Sequence, residues 1–217
     1  MLPYKLNGND RQLKHILCLG AHSDDIEIGC GGALLRLLTE NPEVTVTWVV
    51  FSSTPEREQE AKASATDFLS AIEKQQIIIH RFRDAFFPYD GPAIKEAFEA
   101  LKAQPTPDLI FSHCRHDLHQ DHRVICDLTW NTFRDHLIWE YEIPKYDGDL
   151  GTPNLYVHLD KATCERKAAL LMQHFATQSN KHWFTPETFL GLMRLRGIES
   201  RSPLGYAEGF YSRKGIV

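Results

Sequence analysis

Two short stretches of the chain concentrate the groups that hydrolytic chemistry needs. The first is Gly20-Ala21-His22-Ser23-Asp24-Asp25-Ile26-Glu27-Ile28-Gly29-Cys30-Gly31-Gly32. His22 and Asp25, three residues apart, can reach one cation from a single turn, which leaves Asp24 between them free for proton transfer. The plainer reading is that Ser23, Asp24 or Asp25 caps the following helix while His22 packs locally. The second stretch is Cys114-Arg115-His116-Asp117-Leu118-His119-Gln120-Asp121-His122-Arg123, with His113 just ahead of it. Four of the eleven histidines fall here (His113, His116, His119 and His122). His119 and His122 stand at a predicted helix start, so one can ligate a metal while the other faces a substrate. Asp121 or Asp117 can orient an imidazole by hydrogen bonding. A polar loop with a capped helix is the competing reading. Two histidines, one carboxylate and a water make the ligand set of an open, hydrolytic zinc site, whose +1 formal charge suits a developing oxyanion. His136, His158, His174 and His182 stand alone and read as structural.

Both stretches follow short apolar runs, which fixes what must position them. Residues 15–20, 44–51, 76–80 and 108–113 read as strands, and 44–51, continuously apolar and rich in β-branched and aromatic residues, has the pattern of one covered on both faces. Helical spacing is predicted from about residue 33, after a glycine-rich turn, and over 56–72 and 93–103. The second half reads as a helix over 121–137, a strand over 138–143, a loop over 144–153 and a strand over 155–159. Helices over 162–177 and 186–195 and a last strand over 207–211 complete it. Alternating strands and helices imply βαβ units and right-handed crossovers. The expected fold is a single-domain, Rossmann-like, three-layer α/β fold with a mostly parallel sheet, covering residues 1–217. In such a sheet ligands bind outside the carboxyl ends of the strands, where both stretches lie.

The composition removes several other classes. With 24 basic and 29 acidic residues among 217, the net charge is −5, which argues against a nucleic-acid binder. No apolar run is long enough to span a bilayer. The N-terminus lacks a secretory-signal pattern. The five cysteines (18, 30, 114, 126 and 164) show no CxxC spacing, so no disulfide framework or zinc knuckle is indicated. A cytoplasmic protein is expected, and a homo-oligomer is compatible with the sequence. A dinucleotide loop is excluded because two carboxylates occupy the place where bare backbone amides would meet a pyrophosphate. Around the site, Arg57 can pair with a substrate hydroxyl, phosphate or carboxylate, and Asp84 with a sugar hydroxyl. The aromatics of 81–89 can stack on a sugar or pack as a loop. Trp139, Tyr141 and Tyr146 can wall the pocket, with core packing the better reading for Trp139.

At these segments the sequence resembles the LmbE-like, or PIG-L, family of metal-dependent N-deacetylases. His22-Ser23-Asp24-Asp25 matches the family's A-H-P-D-D motif, and His119-Gln120-Asp121-His122 matches its H-x-D-H motif. Arg57-Glu58 and the segment Lys167 through Gln178 (KAALLMQHFATQ) are weaker matches. The resemblance implies a bound Zn2+, with another divalent ion such as Fe2+ also fitting, and hydrolysis of an N-acetyl group on a small-molecule amino sugar. It implies His22, Asp25 and His122 as metal ligands and Asp24 as general base. It assigns oxyanion stabilisation to a protonated His119, tuned by Asp121. Ser23 and Gln120 replace prolines common in the family motifs, so the rigidity of both turns differs. The rival readings are a metal-dependent phosphoesterase and a non-catalytic sugar- or metal-binding relative.

Overall fold

The computed structural model describes Leu6 and residues 13–215, so most of the N-terminal stretch read for a signal pattern lies outside the described residues. The chain forms β1 (His15–Gly20), α1 (Asp25–Glu40), β2 (Thr45–Val50), α2 (Pro55–Phe68), β3 (Gln75–Ile79), α3 (Gly91–Lys102) and β4 (Leu109–His113). It continues with α4 (Gln120–Thr132), β5 (Ile138–Tyr141), β6 (Leu155–Leu159), α5 (Lys161–His174), a 3-10 turn at Ala176–Gln178, α6 (Pro186–Glu199) and β7 (Tyr206–Ser212). The strands make one sheet in the order β3-β2-β1-β4-β5-β7-β6. It is parallel from β3 to β5, and β7 runs antiparallel to both β5 and β6.

The period-two alternation of β2 builds both layers of core. Val46, Trp48 and Val50 pack with Cys18, Phe68, Phe111 and Phe210, beneath α1, α2, α5 and α6. Val49 turns the other way, where it and Phe51 join Leu19, Phe98, Ile110 and Ile125 beneath α3 and α4. Burial on both faces is why this strand reads as a continuous apolar run. The chain winds from β1 through β2 to β3, then returns to place β4 on the other flank of β1. The crevice between β1 and β4 is the switch point of the sheet.

One boundary departs from the sequence reading in a way that matters. Helix α1 starts at Asp25, not near residue 33, so Gly29, Gly31 and Gly32 lie inside the helix and not in a turn. A glycine in a helix interior costs about 1 kcal/mol relative to alanine. Close packing explains its use here: a Cβ on Gly29 would sit 2.1 Å from Tyr141 Cδ2, and one on Gly32 2.6 Å from Leu159 Cδ1. A buried ion pair then braces the helix. Lys167 Nζ donates to the Ile28 carbonyl and to Glu208 Oε1, both at 2.6 Å. Glu208 also accepts the Gly32 and Ala33 N–H groups at 2.8 and 2.6 Å. Helix α4 likewise ends at Thr132, short of residue 137, because Phe133 leaves helical geometry and buries in the second core.

Candidate active site

The β1–α1 turn delivers His22, Asp24 and Asp25, and none of the local capping alternatives forms. Asp24 holds the N-cap position of α1 without a side-chain cap bond. Ser23 Oγ reaches the Ser52 carbonyl at 3.5 Å. Asp25 Oδ2 accepts the His22 N–H at 2.6 Å, which curls the turn and swings both side chains to one side. Across the crevice, His119 is the N-cap of α4, and its Nδ1 accepts the Asp121 N–H at 3.3 Å. His122 follows in the first turn.

Three donor atoms meet at one point. His22 Nδ1 lies 3.2 Å from His122 Nε2 and 3.2 Å from Asp25 Oδ2, and His122 Nε2 lies 3.5 Å from Asp25 Oδ2. A tetrahedral cation with bonds of about 2.0–2.1 Å holds its donors about 3.3–3.4 Å apart, so the triangle fits such an ion. The hydrogen bonds behind each ring explain the orientation. His122 Nδ1–H donates to Asp117 Oδ2 at 2.9 Å, leaving the Nε2 lone pair facing inward. His22 Nε2 sits 3.1 Å from Asp84 Oδ1 and 3.3 Å from Asp121 Oδ2, so its Nδ1 lone pair also faces inward. Lone pairs converging on a shared point repel unless a positive charge stands among them. The ionisation of the free protein expresses this. Burial alone would lower the His22 pKa, but Asp25, Asp121 and Asp84 together hold it well above 6.5. Burial, with repulsion from His113, drives the His122 pKa down to about 3.

Seven of the eight residues singled out in the sequence line one cavity of about 200 Å3: His22, Asp24, Asp25, Arg57, Asp84, His119 and His122. The eighth, Asp121, is fully buried beside it. Its carboxylate accepts the Ala85 N–H at 2.7 Å and the Phe87 N–H at 3.2 Å, besides facing His22. Of the two aspartates offered as imidazole partners, Asp117 therefore serves His122 and Asp121 serves His22. Burial, with repulsion from His22, lowers the His119 pKa below 6.5. With Nδ1 occupied as an acceptor, its single proton resides on Nε2.

Arg57, from the first turn of α2, donates to Asp24 Oδ1 at 2.7 Å, while its buried Nε has no partner among the described residues. Tyr146 lines the cavity mouth. Tyr141 does not wall the pocket: it is fully buried, and its hydroxyl donates to the Leu19 carbonyl at 2.6 Å. Trp139 is core, packed on Phe111 and Phe210. Phe87 is buried and Phe82 packs on Phe51, so the aromatics of 81–89 form a packed loop more than a stacking platform.

Sequence reasoning missed four participants. His113 was counted in its cluster but given no place. It is fully buried, accepts the Ala21 N–H at 2.9 Å and stacks on His122 with ring centroids 3.9 Å apart. Lys145 Nζ reaches Asp117 Oδ2 at 3.1 Å and Asp149 Oδ2 at 2.5 Å. Lys181 and Trp183 line the mouth. The last three are isolated residues on irregular segments and left no spacing signal. His116 is exposed and makes no part of the cavity.

The profile of the PIG-L family, described as GlcNAc-PI de-N-acetylase, matches residues 17–133, which carry both motifs and more than half of the chain. The chain belongs to the PIG-L family. No curated protein matches it significantly. Solved structures share its fold at low identity. One is the N,N'-diacetylchitobiose deacetylase of Pyrococcus horikoshii, at TM-score 0.73 and 20% identity, covering 96% of this chain and 87% of that one. Another is the A40926 pseudoaglycone deacetylase Dbv21, at TM-score 0.69 and 21% identity, covering 95% and 100%. A third is GalB, the 4-carboxy-2-hydroxymuconate hydratase of Pseudomonas putida KT2440, at TM-score 0.73 and 16% identity, covering 94% and 98%. One fold is thus shared by deacetylases and a hydratase, and the residues of the site must decide between such activities.

Proposed function

We propose that this PIG-L protein is a divalent-cation-dependent hydrolase that removes the N-acetyl group from an amino sugar or sugar conjugate. The observation that carries the reading is the triangle of His22, Asp25 and His122 donor atoms, opening onto a cavity that Asp24 and His119 also line. Zn2+ suits this mixed nitrogen–oxygen set. When bound, such an ion polarises a carbonyl and lowers the pKa of water towards about 7.

The chain's own groups divide the remaining work. Asp24, fixed through one oxygen by Arg57, accepts the proton of the attacking water. As the new C–O bond forms, the amide oxygen gains negative charge, and the His119 Nε2–H donates to it. A donor of this kind contributes roughly 3 kcal/mol to the transition state. Asp24 then returns the proton to the nitrogen as the C–N bond breaks, so acetate and a free amine leave. Arg57 Nε is a spare donor for the substrate, and Asp84 accepts its hydroxyls. The family description and the two deacetylase neighbours support the amide as the bond cleaved.

The test is a panel of N-acetylated amino sugars, nucleotide sugars and glycosides, assayed for freed amine and acetate with the zinc-loaded protein. Stoichiometric amine and acetate from at least one member are expected. Loaded protein that releases neither, yet hydrates an unsaturated acid or cleaves a phosphate ester, overturns the reading.

A further inference from the structure

The loop that carries Asp84 over the cavity is held in an unusual way. The Asp84 side chain is 67% exposed, and its contact with the protein is to His22 Nε2 at 3.1 Å. Its successor Ala85 has φ of 64°, the left-handed region that a residue with a Cβ avoids. Such a conformation persists only where the surroundings over-determine it. They do so here from the first turn of α4. Asp121 accepts the N–H groups of Ala85 and Phe87, and the Gln120 side-chain amide donates to the Ala85 carbonyl. Both polar ends of Ala85 are therefore fixed by consecutive residues of one helix. Gln120 stands where the related motif commonly has proline, which has no such donor.

We propose that Gln120 is a positioning residue: by gripping the Ala85 carbonyl it holds Asp84 above the cavity, ready for the hydroxyls of a polyol-like substrate. The inference rests on the function proposed above, because it gives Asp84 a sugar to meet. It places part of the substrate specificity of this chain at a position with no substrate contact of its own.

Two substitutions test it. Gln120→Leu removes the donor at similar volume. Gln120→Pro also removes it, at the first helical position, where proline is favoured and the preceding residue is already extended, with His119 at ψ 123°. Both are expected to speed amide hydrogen exchange at Ala85 and Phe87 about tenfold, since the clamp on the left-handed turn is lost. KM for the N-acetyl sugar is expected to rise about fivefold, with a much smaller fall in kcat. In an Asp84→Asn background, Gln120→Leu should add almost nothing to KM, because residues acting through one contact are not additive. Unchanged exchange in both variants overturns the clamp. An equal rise in KM with and without Asp84 overturns the link to substrate. Wild-type protein inactive on every N-acetyl sugar overturns the functional reading, and with it that link, while the exchange measurement still judges the clamp.

Discussion

Burial alone would lower the His22 pKa, but the three carboxylates facing the imidazole raise it, so a cation entering the proposed site would have to displace a proton there. The His22 pKa lies above the ordinary 6.5, so cation affinity should rise about tenfold per pH unit on the acid side of the raised value and level off above it. Calorimetric titration of the metal-free protein across that range checks this. The stability of the metal-free fold follows the opposite trend. The His22 contribution is complete below 6.5 and fades as pH climbs through the raised pKa. Asp24 is different, since it meets Arg57 and lies outside the donor triangle. Asp24→Asn is expected to keep stoichiometric metal while kcat falls by about 10²–10⁴. Wild-type turnover in that variant removes Asp24 from the base role. Residues packed into two contiguous motifs were legible in the sequence. The exchange of partners between Asp117 and Asp121 was not, because it depends on which face of the α4 turn each carboxylate takes.

At the level of elements, the sequence showed every strand but misplaced the start of α1. The glycines at 29, 31 and 32 lower helix propensity, and only contacts from far along the chain reveal why they are there. Tyr141 occupies the space a Gly29 side chain would need, and the same ring meets His113 beside Asp25. Gly29→Ala should therefore destabilise the fold by about 1–3 kcal/mol and also weaken metal binding. Gly197→Ala makes a matched control: its Cβ would lie 2.3 Å from the Gly205 carbonyl oxygen, at the junction of α6 and β7. It should cost comparable stability with metal affinity untouched. Thermal melts paired with metal titrations separate the two outcomes. Equal loss of affinity in both variants would show that α1 packing has no special hold on the site.

For the whole molecule, strand order was the hidden variable. Periodicity identified β1 and β4 as strands, but only the assembled sheet makes them neighbours and brings the two motifs face to face. Stability should reflect that convergence. A cation present at 100 times its dissociation constant adds about 2.7 kcal/mol, which for a chain of this size raises Tm by about 5–10 °C. Scanning calorimetry with and without a chelator measures the shift, and a Tm indifferent to zinc would remove the metal from the native state. His22 and His122 are separated by 100 positions, on opposite flanks of the crevice. Neither motif alone supplies the proposed donor triangle, which exists only once both halves of the sheet have docked. Capture of an ion by the proposed site would then have to follow folding, and the bound ion would mark chains whose sheet has closed.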